Sequence, residues 1–193
     1  MTDALRRAGE RAGVDLGYEQ AHIPESAAEQ MMSELSLYET VSQMFFIAVP
    51  DGLSTSQLEQ FAADSAAGGF ILFSENSYTA DETRALTQLL KDSSGIAPFI
   101  GFGGEDEAVS GLRERGLIIT DAMNMGAATS DISCGEAAVA SIAAGADIIL
   151  MPRDFHEAVA AVMSAIENGV IPIERIHESA EKILLTKINS GII

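Results

Sequence analysis

The chain has 193 residues, 47% of them hydrophobic, enough to bury one sizeable core but too few for two full domains. Against 11 Lys and Arg stand 29 Asp and Glu, a formal net charge of −18, which argues against nucleic acid and anionic membrane as partners and leaves a neutral ligand compatible. The single cysteine, Cys134, excludes an intramolecular disulfide and a thiolate zinc site, and reads as a buried bystander.

Residues 1–34 mix alanine with charge, carry Arg6, Arg7 and Arg11, and are interrupted by Gly13, Gly17 and Pro24. They read as a helical arm with partial disorder near its start. No apolar run follows the arginines and none elsewhere approaches the length of a membrane span, so a soluble, cytoplasmic chain is expected. The main domain is expected over 35–193. Ser36 with Glu39 forms a capping box for a short helix through Val41, and Met44–Val49 reads as the first buried strand. Ser54 with Gln57 caps a second helix, with Leu58, Phe61 and Ala62 on one face, which Gly68-Gly69 should stop before a strand at Phe70–Phe73. Thr79 with Glu82 opens a third helix bearing Ala85, Leu86, Leu89 and Leu90, and Pro98–Phe102 supplies the third strand.

Residues 103–115 break this rhythm. Gly101, Gly103 and Asp106 do not complete a G-x-G-x-x-G pattern, no Gly-Lys-Ser/Thr follows, and the acids Glu105-Asp106-Glu107 would repel phosphate, so nucleotide-cofactor readings fail. The usual reading of those acids is a solvated helix start, and neither a metal nor a cofactor is expected. Leu117–Thr120 then reads as a fourth strand buried on both faces. Asp121 follows where α/β proteins place their chemistry, at the carboxyl end of a parallel strand. The residues alone also allow Asp121 to be a cap for the next helix or turn. A small-residue helix spans Glu136–Ala144, a fifth strand Asp147–Met151, a helix from Phe155 to Asn168-Gly169, and a last helix after Pro172 buries Ile173, Ile176, Ile183 and Leu184. Short apolar strands alternating with helices predict right-handed βα units on a parallel sheet. The residues leave open whether the fourth strand pairs with the third or the first.

The run Gly116-Leu-Ile-Ile-Thr-Asp-Ala-Met-Asn-Met-Gly126 resembles the nucleophile segment of family 3 glycoside hydrolases, in particular their β-N-acetylhexosaminidase branch. Leu35–Ile47 resembles the family's opening helix and first strand, Gly68–Ser74 its second strand, and Gly145–Pro152 its last. The resemblance implies retaining hydrolysis of a terminal β-linked N-acetylglucosamine or β-glucoside, with Asp121 attacking the sugar. It also implies an eight-stranded (β/α) barrel of ~250 residues. Only about five parallel strands can be placed here, so the expected fold is α/β, an incomplete TIM-type (β/α) barrel with an N-terminal helical arm. The central strands would be missing between Phe102 and Leu117. Open strand edges in such a fragment invite a homodimer.

The family's acid/base histidine, on a Pro-Gly-His-Gly type motif, has no counterpart. His22, His156 and His177 all lie outside such a context. Where the family reads Val-Asp-Glu-Glu-Gly-Gly, with its Asp gripping sugar hydroxyls, this chain reads Phe102-Gly-Gly-Glu-Asp-Glu107, which puts Gly103 at the aligned position. Glu105 or Asp106 then becomes the candidate for substrate binding. Arg153 and His156, beyond the fifth strand, are the others, with His156 placed to stand in for the acid. The alternative is a non-catalytic scaffold or engineered barrel fragment that self-associates or binds sugar weakly.

Overall fold

The computed structural model describes residues 25–73, 76, 79–103, 112, 115–124 and 132–193. The predicted disorder near the start of the arm and the predicted solvated helix start at Glu105-Asp106-Glu107 lie outside these residues. Among those described are seven helices and four strands: α1 Glu25–Glu34, α2 Leu37–Ser42, β1 Phe45–Ala48, α3 Thr55–Ser65, β2 Gly69–Leu72, α4 Ala80–Ser93, β3 Phe99–Phe102, α5 Cys134–Ala143, β4 Ile149–Leu150, α6 Phe155–Glu167 and α7 Ile173–Asn189. The helix starts follow their local chemistry. Ser36 with Glu39, Ser54 with Gln57, and Ser133 with Glu136 close reciprocal capping boxes, satisfying amides that have no partner within the helix.

All four strands run parallel in one sheet of order β3-β2-β1-β4. The first strand therefore lies between the second and the last, the adjacency that closure of a (β/α) barrel requires of its two ends. The expected fourth strand needs correction. Leu117–Thr120 makes one parallel bridge, Ile119 to Ile148, and lies outside β4 rather than beside the first or third strand. Nor is it buried on both faces: Leu117 and Ile119 are buried whereas Ile118 is 57% exposed. The expected fifth strand shrinks to Ile149–Leu150.

Parallel strands need cover on both faces. One face carries Phe45 and Phe70, whose rings meet Phe155 of α6 at 5.7 Å and Phe61 of α3 at 5.6 Å. The other carries Phe46 and Phe99, centroids 5.6 Å apart, on either side of Gly69. A methyl group at Gly69 would lie 2.9 Å from the Phe46 ring, and one at Gly68 would lie 1.9 Å from the Gln43 carbonyl oxygen. These glycines serve close approach and do not terminate α3, which ends at Ala66 in the left-handed region with φ 49°. Helix α7 packs against α1 and α2, and α5 against α6.

Where α7 meets the amino ends of the strands, Lys187 is fully buried. Its Nζ donates to Gln43 Oε1 at 2.7 Å and lies 5.5 Å from the Phe99 ring centroid, while Gln43 Nε2 donates to Ala66 O at 2.8 Å. Burial pushes the ammonium down to about 7. The unfolded chain, with a lysine near its ordinary value, therefore binds the extra proton between that value and the usual lysine range. Raising the pH through this window favours the folded state, and below it the advantage is gone. Relative to Lys187→Met, the wild-type protein should gain up to about 1.4 kcal/mol per pH unit above neutrality. Paired urea titrations from slightly acidic to alkaline pH would read this, and a difference independent of pH would refute it.

Candidate active site at the carboxyl edge of the sheet

Because the strands are parallel, the chain segments that follow them emerge at one edge. Backbone bonds hold that edge in register: Val49 N–H donates to Ile71 O at 3.0 Å, Gly103 N–H to Leu72 O at 2.7 Å, and Met151 N–H to Phe46 O at 2.7 Å. Asn76 clips two strand ends together, accepting from Phe73 N–H through Oδ1 at 2.7 Å and donating from Nδ2 to Val49 O at 3.1 Å. Asp121 reaches the same edge at the end of the Leu117–Thr120 segment. Thr120 N–H donates to Ile148 O at 3.1 Å, Leu150 N–H donates to Thr120 Oγ1 at 3.0 Å, and Met123 N–H donates to Leu150 O at 2.9 Å. The residues on both sides of Asp121 are thus fastened to β4, while Asp121 itself is exposed.

Beyond β4, Met151 adopts a left-handed conformation, φ 46°, that costs a non-glycine residue roughly 1–2 kcal/mol. The turn sends the chain through exposed Arg153 to Asp154, whose side chain caps α6 by accepting from Glu157 N–H at 2.9 Å. His156, in the first turn of α6, is exposed, with its ring 5.2 Å from that of Phe155. The start of α5 is drawn to the same place: Cys134 Sγ donates to Asp154 O at 3.4 Å, and Gly135 N–H donates to Glu157 Oε1 at 3.1 Å. Cys134 is half-buried, so it is a link between two helix starts rather than a buried bystander.

Asp121, Arg153 and His156 are therefore brought to one edge of the sheet. Glu105 and Asp106, and with them the sugar-gripping role, lie outside the described residues, as does His22. His177 is an exposed residue of α7. Among the described residues, no group of three or more His, Cys, Asp and Glu side chains forms a metal-ligand set. Nor is any helix of the described residues long and apolar enough to cross a membrane.

Asp147, read from sequence only as the start of a strand, is fully buried. Its Oδ2 accepts from Ile118 N–H at 3.0 Å, and its Oδ1 accepts from Ser179 Oγ at 2.6 Å and Lys182 Nζ at 3.2 Å, with Arg175 Nη2 at 3.6 Å. Arg175 also donates to Ala146 O at 2.8 Å. Burial pushes the Asp147 carboxyl up, but the hydrogen bonds from Ile118, Ser179 and Lys182, with the charge of Lys182, outweigh it and hold the group below the usual carboxylate range. A signal existed in the sequence, since Arg175, Ser179 and Lys182 recur at helical spacing as a polar stripe on α7.

Replacing Asn76 by Ala would leave the partly buried Phe73 N–H and Val49 O without this partner, at about 1–3 kcal/mol. Thermal unfolding of Asn76→Ala should show a midpoint lower by several degrees, whereas an unchanged midpoint would mean that the clip contributes nothing.

No curated protein matches the chain. Residues 77–186 match the Glycosyl hydrolase family 3 N terminal domain, a stretch from the entry of α4 into the last turns of α7 that takes in β3, the segment leading to Asp121, and β4. That match covers more than half of the sequence, and it includes Asp121, Arg153 and His156: the chain belongs to the glycosyl hydrolase family 3 N-terminal domain family.

Proposed function

We propose that the protein is a glycoside hydrolase of family 3 type that retains anomeric configuration, acts on terminal β-linked N-acetylglucosamine or a β-glucoside, and uses Asp121 as nucleophile. The observation that carries this reading is an exposed carboxylate at the carboxyl edge of a parallel sheet, flanked by backbone fastened to β4 and lying within the family-matched residues. Asp121 Oδ would attack the anomeric carbon from the face opposite the leaving oxygen, and water would then release the sugar from the glycosyl-enzyme. The leaving oxygen needs a proton. His156, at the same edge, is the group best placed to supply it in the absence of the Pro-Gly-His-Gly motif, and Arg153 together with Glu105 or Asp106 would hold sugar hydroxyls. In this reading residues 35–193 are the domain, a (β/α) barrel lacking its central strands, and 1–34 are an arm that docks through α1 on α7. The free, half-buried thiol of Cys134 suits a reducing, cytoplasmic setting.

A second reading is favoured by the missing acid/base motif and by the edge of β3, where Phe102 is 58% exposed. It makes the chain a scaffold that pairs with a second copy of itself along that edge. Loss of general acid catalysis costs ~10²–10⁴-fold, which an activated leaving group largely hides. The purified protein should therefore release the fluorophore from 4-methylumbelliferyl N-acetylglucosaminide or the corresponding glucoside, and Asp121→Ala should not. Equal or absent release in both folded proteins would reject the enzyme reading and favour the scaffold.

A further inference from the structure

The buried carboxylate of Asp147 belongs to no step of the proposed reaction, yet its hydrogen bonds join the final helix to the segment that ends in Asp121. One oxygen faces each way. Oδ2 takes the Ile118 amide, three residues before Asp121, and Oδ1 takes Ser179 and Lys182 from α7. The backbone around it locks the same register, with Asp147 N–H and Ile148 N–H both donating to Ile118 O, at 2.7 and 3.0 Å. This support compensates for weak pairing, because Leu117–Thr120 has a single ladder bridge and β4 has only two residues. Backbone bonds at Ile118, Thr120 and Met123 hold the segment at points, and the buried carboxylate adds the side-chain bond that ties its start to α7.

We propose that Asp147 is a positioning residue for the nucleophile: it sets the register of Leu117–Thr120 against β4 and so fixes where Asp121 stands at the carboxyl edge. This rests on the reading of Asp121 as nucleophile. Arg175, Ser179 and Lys182 hold the carboxylate from the α7 side, so the last helix of the domain is part of the support of the site. Displacement of a reacting group by about 1 Å can cost ~10²-fold in rate, so the effect belongs in kcat rather than in KM.

The test compares the full chain with Asp147→Ala, Asp147→Asn and the double variant Ser179→Ala/Lys182→Met. Amide hydrogen exchange, resolved by residue, is measured together with aryl N-acetylglucosaminide turnover. In Asp147→Ala the Ile118, Thr120 and Met123 amides should exchange about tenfold faster while β1 and β2 amides stay protected, as loss of a local hydrogen bond predicts. Turnover should fall roughly 10²-fold with KM nearly unchanged. Asp147→Asn keeps one acceptor oxygen for the Ile118 amide and should recover much of both. If Asp147→Ala does not fold, the double variant, which leaves the carboxylate in place and loosens its far side, should give the same local pattern in weaker form. Unchanged exchange at Ile118–Met123 in a folded variant, or an increase shared by the whole sheet, would overturn the positioning role. Local exchange that rises as expected in variants of a chain whose wild type shows no turnover would uphold the register-setting role of Asp147 and reject the nucleophile reading instead.

Discussion

A parallel sheet has to bury both of its faces, and the rest of this structure follows from that constraint. Each return to a parallel neighbour needs a crossover, so helices alternate with strands, and their inner sides supply Phe61 and Phe155 to one face of the sheet. Uniform strand direction then gathers the segments after β1, β2, β3 and β4 at a single edge. The amino ends at the opposite edge are given over to packing: Gly68 against Gln43, and Lys187 beneath Phe99. One edge is available for chemistry because the other is filled.

The two buried charges illustrate how differently such groups can be accommodated. Asp147 has two hydroxyl or ammonium donors and a backbone amide, with Arg175 close by, and its charged form is favoured despite burial. Lys187 has one amide oxygen and an aromatic ring, no carboxylate among the described residues bonds it, and burial pushes its ammonium down to about 7. Both couple α7 to the sheet, Asp147 at the segment leading to Asp121 and Lys187 at the base of β3. The last helix is thereby attached at two points that apolar packing alone would not orient.

Most of the local structure was readable from residue types. The capping boxes at Ser36 and Ser54 fall where a hydroxyl and a Glu or Gln three residues on announce them, and the apolar stripes of α6 and α7 bury Val159, Val162, Ile176, Ile183 and Leu184. The strands at Phe45, Gly69 and Phe99 were readable as well, since each is a short apolar run between helices. The site was readable only in part. Asp121, Arg153 and His156 follow apolar runs, so their common edge comes directly from a parallel sheet. Asp147 was not recognised, because its partners are 29 to 35 residues away and nothing local distinguishes an acid that opens a strand from one that is solvated.

Sequence by itself determined the α/β alternation, the capping boxes at Ser36 and Ser54 and the place of Asp121 after an apolar run, since these depend on contacts among residues a few positions apart. Tertiary structure alone decided that Leu117–Thr120 lies outside β4, that Ile118 stays exposed, and that the glycines at 68 and 69 make room for Gln43 and Phe46. It alone also decided which charges are buried. Pairing order, close approach and desolvation arise between segments distant along the chain, and no local pattern of residues encodes which distant segment arrives.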